Sequence, residues 1–170
     1  MYKHMLIPTD GSQLSEEAIR HGIEFAKEMG AKVSFLTVTE PFHTISARLG
    51  QLEDTPGEYR RHVAERAARR LAAGAVIARE AGVSYDEISV EDHHPYRAII
   101  QTAEANGCDL IVMASHGRRG ISAIVLGSQT VSVLTHSSIP VLVYRLPRSP
   151  AQSMQAVSET DALIETAGLP

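Results

Sequence analysis

The sequence predicts an α/β fold: an open parallel sheet with helices on both faces. Three observations carry this. Short apolar runs of strand length alternate with longer segments of helical periodicity, giving the order β-α-β-α-β-α-β-α-β. Glycine and other turn residues punctuate the joins. The stretch from Asp109 to Thr130, DLIVMASHGRRGISAIVLGSQT, passes from a buried strand through a glycine-bearing turn to a helix start. That succession is how α/β proteins build a phosphate cradle.

The first strand is Met5-Leu6-Ile7, and Pro8 fits only at its end. Thr9-Asp10-Gly11-Ser12 forms a turn in which Ser12 or Ser15 is available to cap a helix. That helix runs to about Met29, with Leu14, Ala18, Gly22, Phe25 and Met29 on one face, and Gly30 stops it. Residues 33–39 are rich in β-branched side chains and read as the second strand. Residues 40–57 have no clear period and read as a long connection, of the kind often used as a lid or binding loop.

Thr55-Pro56-Gly57-Glu58 resembles a capping box with proline at the first helical position. The helix it opens places Val63, Ala67, Leu71, Ala75 and Ala78 on one face and ends at Gly82. Arg60, Arg61, Glu65, Arg66, Arg69 and Arg70 fill the other face, which reads as solvated. Residues 83–90 alternate in polarity, as an edge strand with one wet face does. His93-His94-Pro95 leads into a third helix over 96–106, closed by Gly107. The fourth strand is 110–113. A short helix over 128–136 follows the cradle, with Val131 and Leu134 expected to face the core, and the last strand is 139–144. Ligands in such sheets bind at the carboxyl ends of the strands, where strand order reverses. The turns after the first and fourth strands should be neighbours at that point.

The body ends near residue 146. Residues 147–170 form a tail with proline and serine and at most one short helix, too small to be a domain. With 170 residues, 44% apolar and 21% charged, the chain has the composition of one ordinary globular domain. Its net charge of −4 argues against an electrostatic nucleic-acid binder. No apolar run is long enough to span a bilayer, and the first residues do not read as a signal peptide. The single cysteine, Cys108, suits a reducing cytoplasm and reads as a small buried hydrophobe.

The cradle contains neither G-x-x-x-x-G-K-[ST] nor G-x-G-x-x-G. Its physical logic is the same: glycines let backbone N–H groups approach phosphate oxygens, and a helix N-terminus adds unpaired donors and a positive dipole end. Ser128 and Thr130 hydroxyls are further donors, and Arg118 and Arg119 add charge. The alternative is that Gly117 and Gly120 make a plain turn and Ser128 only caps a helix. Asp10 suits a ribose hydroxyl or a metal-bridged phosphate contact, or simply a turn or cap. The eight histidines show no metal-ligand spacing, and there is no nucleophile elbow. His116, inside the cradle turn, is the one histidine placed to neighbour a phosphate.

Four segments, Ile7-Pro8-Thr9-Asp10-Gly11-Ser12, residues 109–117, Leu126-Gly127-Ser128 and residues 139–143, together resemble the universal stress protein family over about residues 3–145. The likeness is strongest to its ATP-binding branch, with signature G-x-x-G-x(9)-G-[ST]. Gly117-x(9)-Gly127-Ser128 keeps that spacing, while Ala114 replaces the first glycine. The resemblance implies a five-stranded sheet of order 3-2-1-4-5, of the adenine nucleotide α-hydrolase-like kind, and a homodimer through the last strand, 139–145. It implies ATP, or AMP or ADP, with any Mg²⁺ carried on the phosphates. Adenine would lie near Val38, ribose near Asp10, and phosphates on Gly117, Gly127, Ser128 and Thr130. The candidate nucleotide site comprises Pro8, Thr9 and Asp10; Val38; and Met113, Ala114, Gly117, Arg118, Gly120, Gly127, Ser128, Gln129 and Thr130. The function implied is that of a cytoplasmic stress-response regulator with at most weak ATP hydrolysis. The alternatives are a nucleotide-free dimeric adaptor of the same fold and a slow ATPase.

Overall fold

A computed structural model of the chain describes residues 1–41, 56–115 and 126–145. The elements are β1 (His4–Pro8), α1 (Gln13–Met29), β2 (Lys32–Thr39), α2 (Pro56–Ala81), β3 (Tyr85–Glu91), α3 (Pro95–Ala105), β4 (Leu110–Ala114), α4 (Ser128–His136) and β5 (Val141–Tyr144). All five strands are parallel, in the order β3-β2-β1-β4-β5. This is the expected architecture. The connection over 40–57 lies largely outside the described residues, as do Thr55 of the capping box and the tail after residue 145.

The central strands are apolar on both faces because both faces are covered. Met5, Ile7, Val33, Phe35 and Val112 point to the side packed by Ile19 and Ile23 of α1 and Leu71 and Ala78 of α2. Leu6, Leu36, Ile111 and Met113 point to the other, against Ile99 and Ala103 of α3 and Val133 of α4. β3 is an edge strand, and from Glu87 to Glu91 it alternates between exposed and half-buried positions, as its sequence predicts. α1 is capped by Ser12, whose Oγ accepts the Ser15 N–H, and it ends on Gly30 at φ +64°. It lies close on the sheet: a Cβ built on Gly22 would sit 2.5 Å from Ile7 Cδ1.

Two expectations are corrected. Val131 and Leu134 do not face the core; they are 45% and 43% exposed, and Thr130 and Val133 are buried instead. The helix carries two stripes at the same three-residue spacing, one position apart. Tertiary packing chooses between them, and it chooses the stripe whose threonine hydroxyl has a carbonyl to bond, Thr130 Oγ1 to Ala114 O at 3.0 Å. The arginine face of α2 is not uniformly solvated either. Arg70 is half-buried, with Nη1 3.4 Å from Thr37 Oγ1.

The β1–β4 pairing at the centre of the sheet is clasped by Asp109. Its Oδ1 accepts the N–H of His4 at 3.0 Å, its Oδ2 that of Lys3 at 2.8 Å, and its own N–H donates to His4 O at 2.9 Å. Burial pushes this carboxyl up, but the backbone donors of His4 and Lys3 outweigh it and hold the pKa below the usual aspartate value. A depressed folded-state pKa contributes stability above the unfolded value, and that stability is lost as pH falls through the folded one. Asp109→Ala is therefore expected to cost about 1–2 kcal/mol at pH 7, given partial exposure. The difference from wild type should shrink towards pH 3 in urea melts. A pH-independent difference would contradict the clasp.

Cys108 is buried, and its thiol is pushed up to about 11, first by burial and then by the Asp109 charge. Native protein at pH 8 should react with a thiol-specific disulfide reagent only as fast as it unfolds, and in full at once in denaturant. Rapid native reaction would contradict this placement.

Candidate functional site

β1 and β4 are adjacent, yet the helices that follow them leave to opposite faces of the sheet. Their loops diverge, and a cleft of about 210 Å³ opens at the carboxyl ends of the strands. Its walls are Pro8, Thr9, Asp10, Ser15, Leu36, Val38, Pro95, Ile99, Met113, Ala114, Gln129 and Thr130. Eight of the thirteen residues expected from the sequence are among them. Gly127 and Ser128 are described but are not part of that wall. Gly117, Arg118 and Gly120 lie outside the described residues, as does His116. Sequence reasoning missed Ser15, Leu36, Pro95 and Ile99. Only Ser15, in the same T-D-G-S-x-x-S turn, carried a local signal.

The β1–α1 turn is built from its own side chains. Thr9 N–H extends the ladder to Leu36 O at 2.8 Å, and Thr9 itself is buried. The Ser15 hydroxyl donates to Ser12 O at 2.8 Å, so the 3.0 Å contact between Thr9 Oγ1 and Ser15 Oγ has Thr9 as donor. Thr9 Oγ1 in turn accepts Gly11 N–H at 3.1 Å, and Asp10 Oδ1 accepts Ser12 N–H at 3.0 Å. The Asp10 carboxylate is thereby oriented on a hydrogen-bonded turn at the cleft wall, half-buried, with Gly11 at φ +73°.

The opposite wall is the end of β4 and the start of α4. Ala114, where the signature has glycine, sits in regular strand, and no non-glycine residue described has a positive φ. The backbone there makes no demand for glycine; the methyl group simply forms part of the wall. Gly127 N–H donates to Ser115 O at 2.7 Å, and Gly127 O accepts Val131 N–H at 2.9 Å. Thr130 Oγ1 bonds Ala114 O, so its hydroxyl hydrogen is not directed at a ligand. The N-cap is Gly127, with no side-chain cap. What α4 offers is accordingly the first-turn N–H groups of Ser128, Gln129 and Thr130, the Ser128 hydroxyl and the positive end of the helix dipole. Gln129 Oε1 accepts the N–H of Tyr96 at 3.0 Å, which ties this wall to the first turn of α3.

Apolar floor residues Leu36, Val38, Ile99 and Met113 suit the face of a flat heteroaromatic ring. A carboxylate stands on one side and an uncapped helix N-terminus on the other. Among the described residues no group of three histidine, cysteine, aspartate or glutamate side chains converges to hold a metal, and no helix is long and apolar enough to cross a membrane.

This is the sheet order of a doubly wound α/β protein, with a cleft at its switch point. Comparison with known proteins gives the family. A model of the universal stress protein family matches residues 1–145, and the chain belongs to that family. It is 35% identical over 150 residues to universal stress protein MJ0531 of Methanocaldococcus jannaschii, covering 87% of this chain and 85% of the relative. It is 30% identical over 160 residues to MJ0577 of the same organism, covering 88% and 98%. The solved structure of MJ0577 superposes with a TM-score of 0.73 over 88% of this chain and 99% of that one. A universal stress protein in complex with cAMP matches at 23% identity and a TM-score of 0.61 over 85% and 97% of the two chains. One from Archaeoglobus fulgidus in complex with dAMP matches at 20% and 0.61 over 84% and 97%. These last two bear on the fold.

Proposed function

We propose that this chain binds an adenine nucleotide in the cleft and acts as a nucleotide-responsive regulatory module in stress survival. The observation that carries the reading is the pairing, across one cleft, of an oriented Asp10 carboxylate with the uncapped N-terminus of α4. A carboxylate accepts hydrogen bonds from ribose hydroxyls. An uncapped helix end receives phosphate oxygens on N–H groups whose dipole favours negative charge. The purine lies on Val38, Leu36 and Met113, the ribose at Asp10, and the phosphates on the N–H groups of residues 128–130 and the Ser128 hydroxyl. Gly117, Arg118 and Gly120 are proposed as further phosphate contacts. Two neighbours of the same fold carry cAMP and dAMP, which supports an adenine nucleotide as the ligand class. ATP is the nucleotide proposed, with Mg²⁺ held on its phosphates. No group in the cleft is assigned to hydrolysis.

The reading includes a homodimer through the last strand, in the cytoplasm. Among the described residues β5 is an edge of the sheet and Leu142 on it is 44% exposed, which suits strand pairing and burial of apolar surface against a second copy.

Thermal melting with a nucleotide panel tests the ligand class. ATP at roughly 100 times its dissociation constant should stabilise the fold by about 2.7 kcal/mol. Inorganic triphosphate and GTP should give smaller shifts, because neither places adenine on the apolar floor. No shift with any adenine nucleotide at millimolar concentration would remove the proposal.

A further inference from the structure

Arg70 belongs to an arginine-rich helix face, yet its stem lies against Gly11 in the turn that carries Asp10. Its Nη1 lies 3.4 Å from Oγ1 of Thr37, which is fully buried near the end of β2. Thr37 follows Leu36 and precedes Val38, and those two line the cleft, so Thr37 belongs to the opposite face of the sheet. The Arg70 stem crosses the β1–α1 turn on that opposite side. A Cβ built on Gly11 would lie 2.9 Å from Arg70 Cγ and 3.5 Å from Cδ. Gly11 is therefore required twice, by its positive φ and by the stem lying on it. Arg70 is anchored at one end by the backbone of α2 and towards the other by Thr37, and the turn is pressed between its methylenes and the cleft. Thr9 N–H ties the start of the turn to Leu36 O of β2, and the Arg70 stem backs the turn further on, at Gly11.

We propose that Arg70 is a positioning residue for the nucleotide site: it backs the Thr9–Ser12 turn from behind and so fixes where the Asp10 carboxylate stands relative to the Val38 wall. It touches no ligand and acts through Asp10. The inference deepens the proposed function and rests on Asp10 being a nucleotide contact. Its structural half holds for the ligand-free protein and can be tested there.

The test uses the full chain as Arg70→Ala, Arg70→Lys, Asp10→Ala and the Arg70→Ala/Asp10→Ala double variant. In ligand-free protein, amide hydrogen exchange should rise about tenfold or more at residues 9–13 in Arg70→Ala and stay unchanged in β4. Arg70→Lys keeps the stem over Gly11 and should restore most of the protection. ATP affinity should fall several-fold in Arg70→Ala, and the double variant should bind no worse than Asp10→Ala. Unchanged exchange at the turn would overturn the inference, as would a rise spread equally over β4. So would an affinity loss that persists undiminished in the Asp10→Ala background. A wild type that binds no ATP would instead sink the nucleotide reading, and the ligand-free exchange data would still decide whether Arg70 holds the turn.

Discussion

Gly127→Val is expected to lower ATP affinity by about 100-fold or more while leaving a folded protein. Gly127 has φ −61° and ψ 147°, a conformation open to any residue, and its N–H and C=O are both bonded within the protein. Nothing in its own backbone asks for glycine. The missing side chain matters because it stands at the N-cap, immediately before the donors of Ser128, Gln129 and Thr130. An isopropyl group there intrudes on the path by which phosphate reaches those N–H groups. Charge-assisted hydrogen bonds contribute about 1.5–3 kcal/mol each, so losing two accounts for the expected fall. A binding isotherm set beside a urea melt checks it. Wild-type affinity in this variant would place the phosphates elsewhere.

The second large effect is on the fold. Phe35→Ala should destabilise the protein by about 3–5 kcal/mol, a large part of the roughly 5–15 kcal/mol that holds a domain together. Phe35 has no exposed surface and sits mid-strand on β2, between β1 and β3. Its ring packs 6.0 Å from that of Tyr85, and a Cβ on Gly74 of α2 would come within 2.9 Å of it. With a rigid strand on each side and a helix pressed onto the ring, the cavity left by alanine has little means of collapse. The urea midpoint should fall with an unchanged slope. A loss under 1 kcal/mol would mean that α2 moves inward to fill the space.

The parts of this fold that were legible in the chain were those with unambiguous period or punctuation. Met5-Leu6-Ile7 and Leu110-Ile111-Val112-Met113 are apolar without a break because helices cover both faces, and the alternation of residues 83–90 marked the edge strand. Gly30 marked the end of α1 by its conformational freedom, and Ser12 or Ser15 marked its start by capping chemistry. The cleft residues Pro8, Thr9, Asp10, Met113, Ala114, Gln129 and Thr130 were legible because they depend on a strand end, local turn chemistry and a helix start. Other features depend on contacts distant in sequence. Leu36 and Ile99 join the site only because β2 and α3 meet above β1. Val131 and Leu134 have the spacing of a buried stripe, but spacing fixes a helical period and not its phase against the sheet. Arg70 is indistinguishable from Arg66 and Arg69 until α2 is laid across β2. Asp109 clasps Lys3 and His4 across more than a hundred residues, and nothing local announces it.

The measurement that bears most directly on the central claim is a calorimetric titration of the full chain with ATP in the presence of Mg²⁺. The expected result is a saturable isotherm with one nucleotide per chain. No heat and no thermal shift at millimolar ATP would contradict it and leave a family member whose cleft has another use.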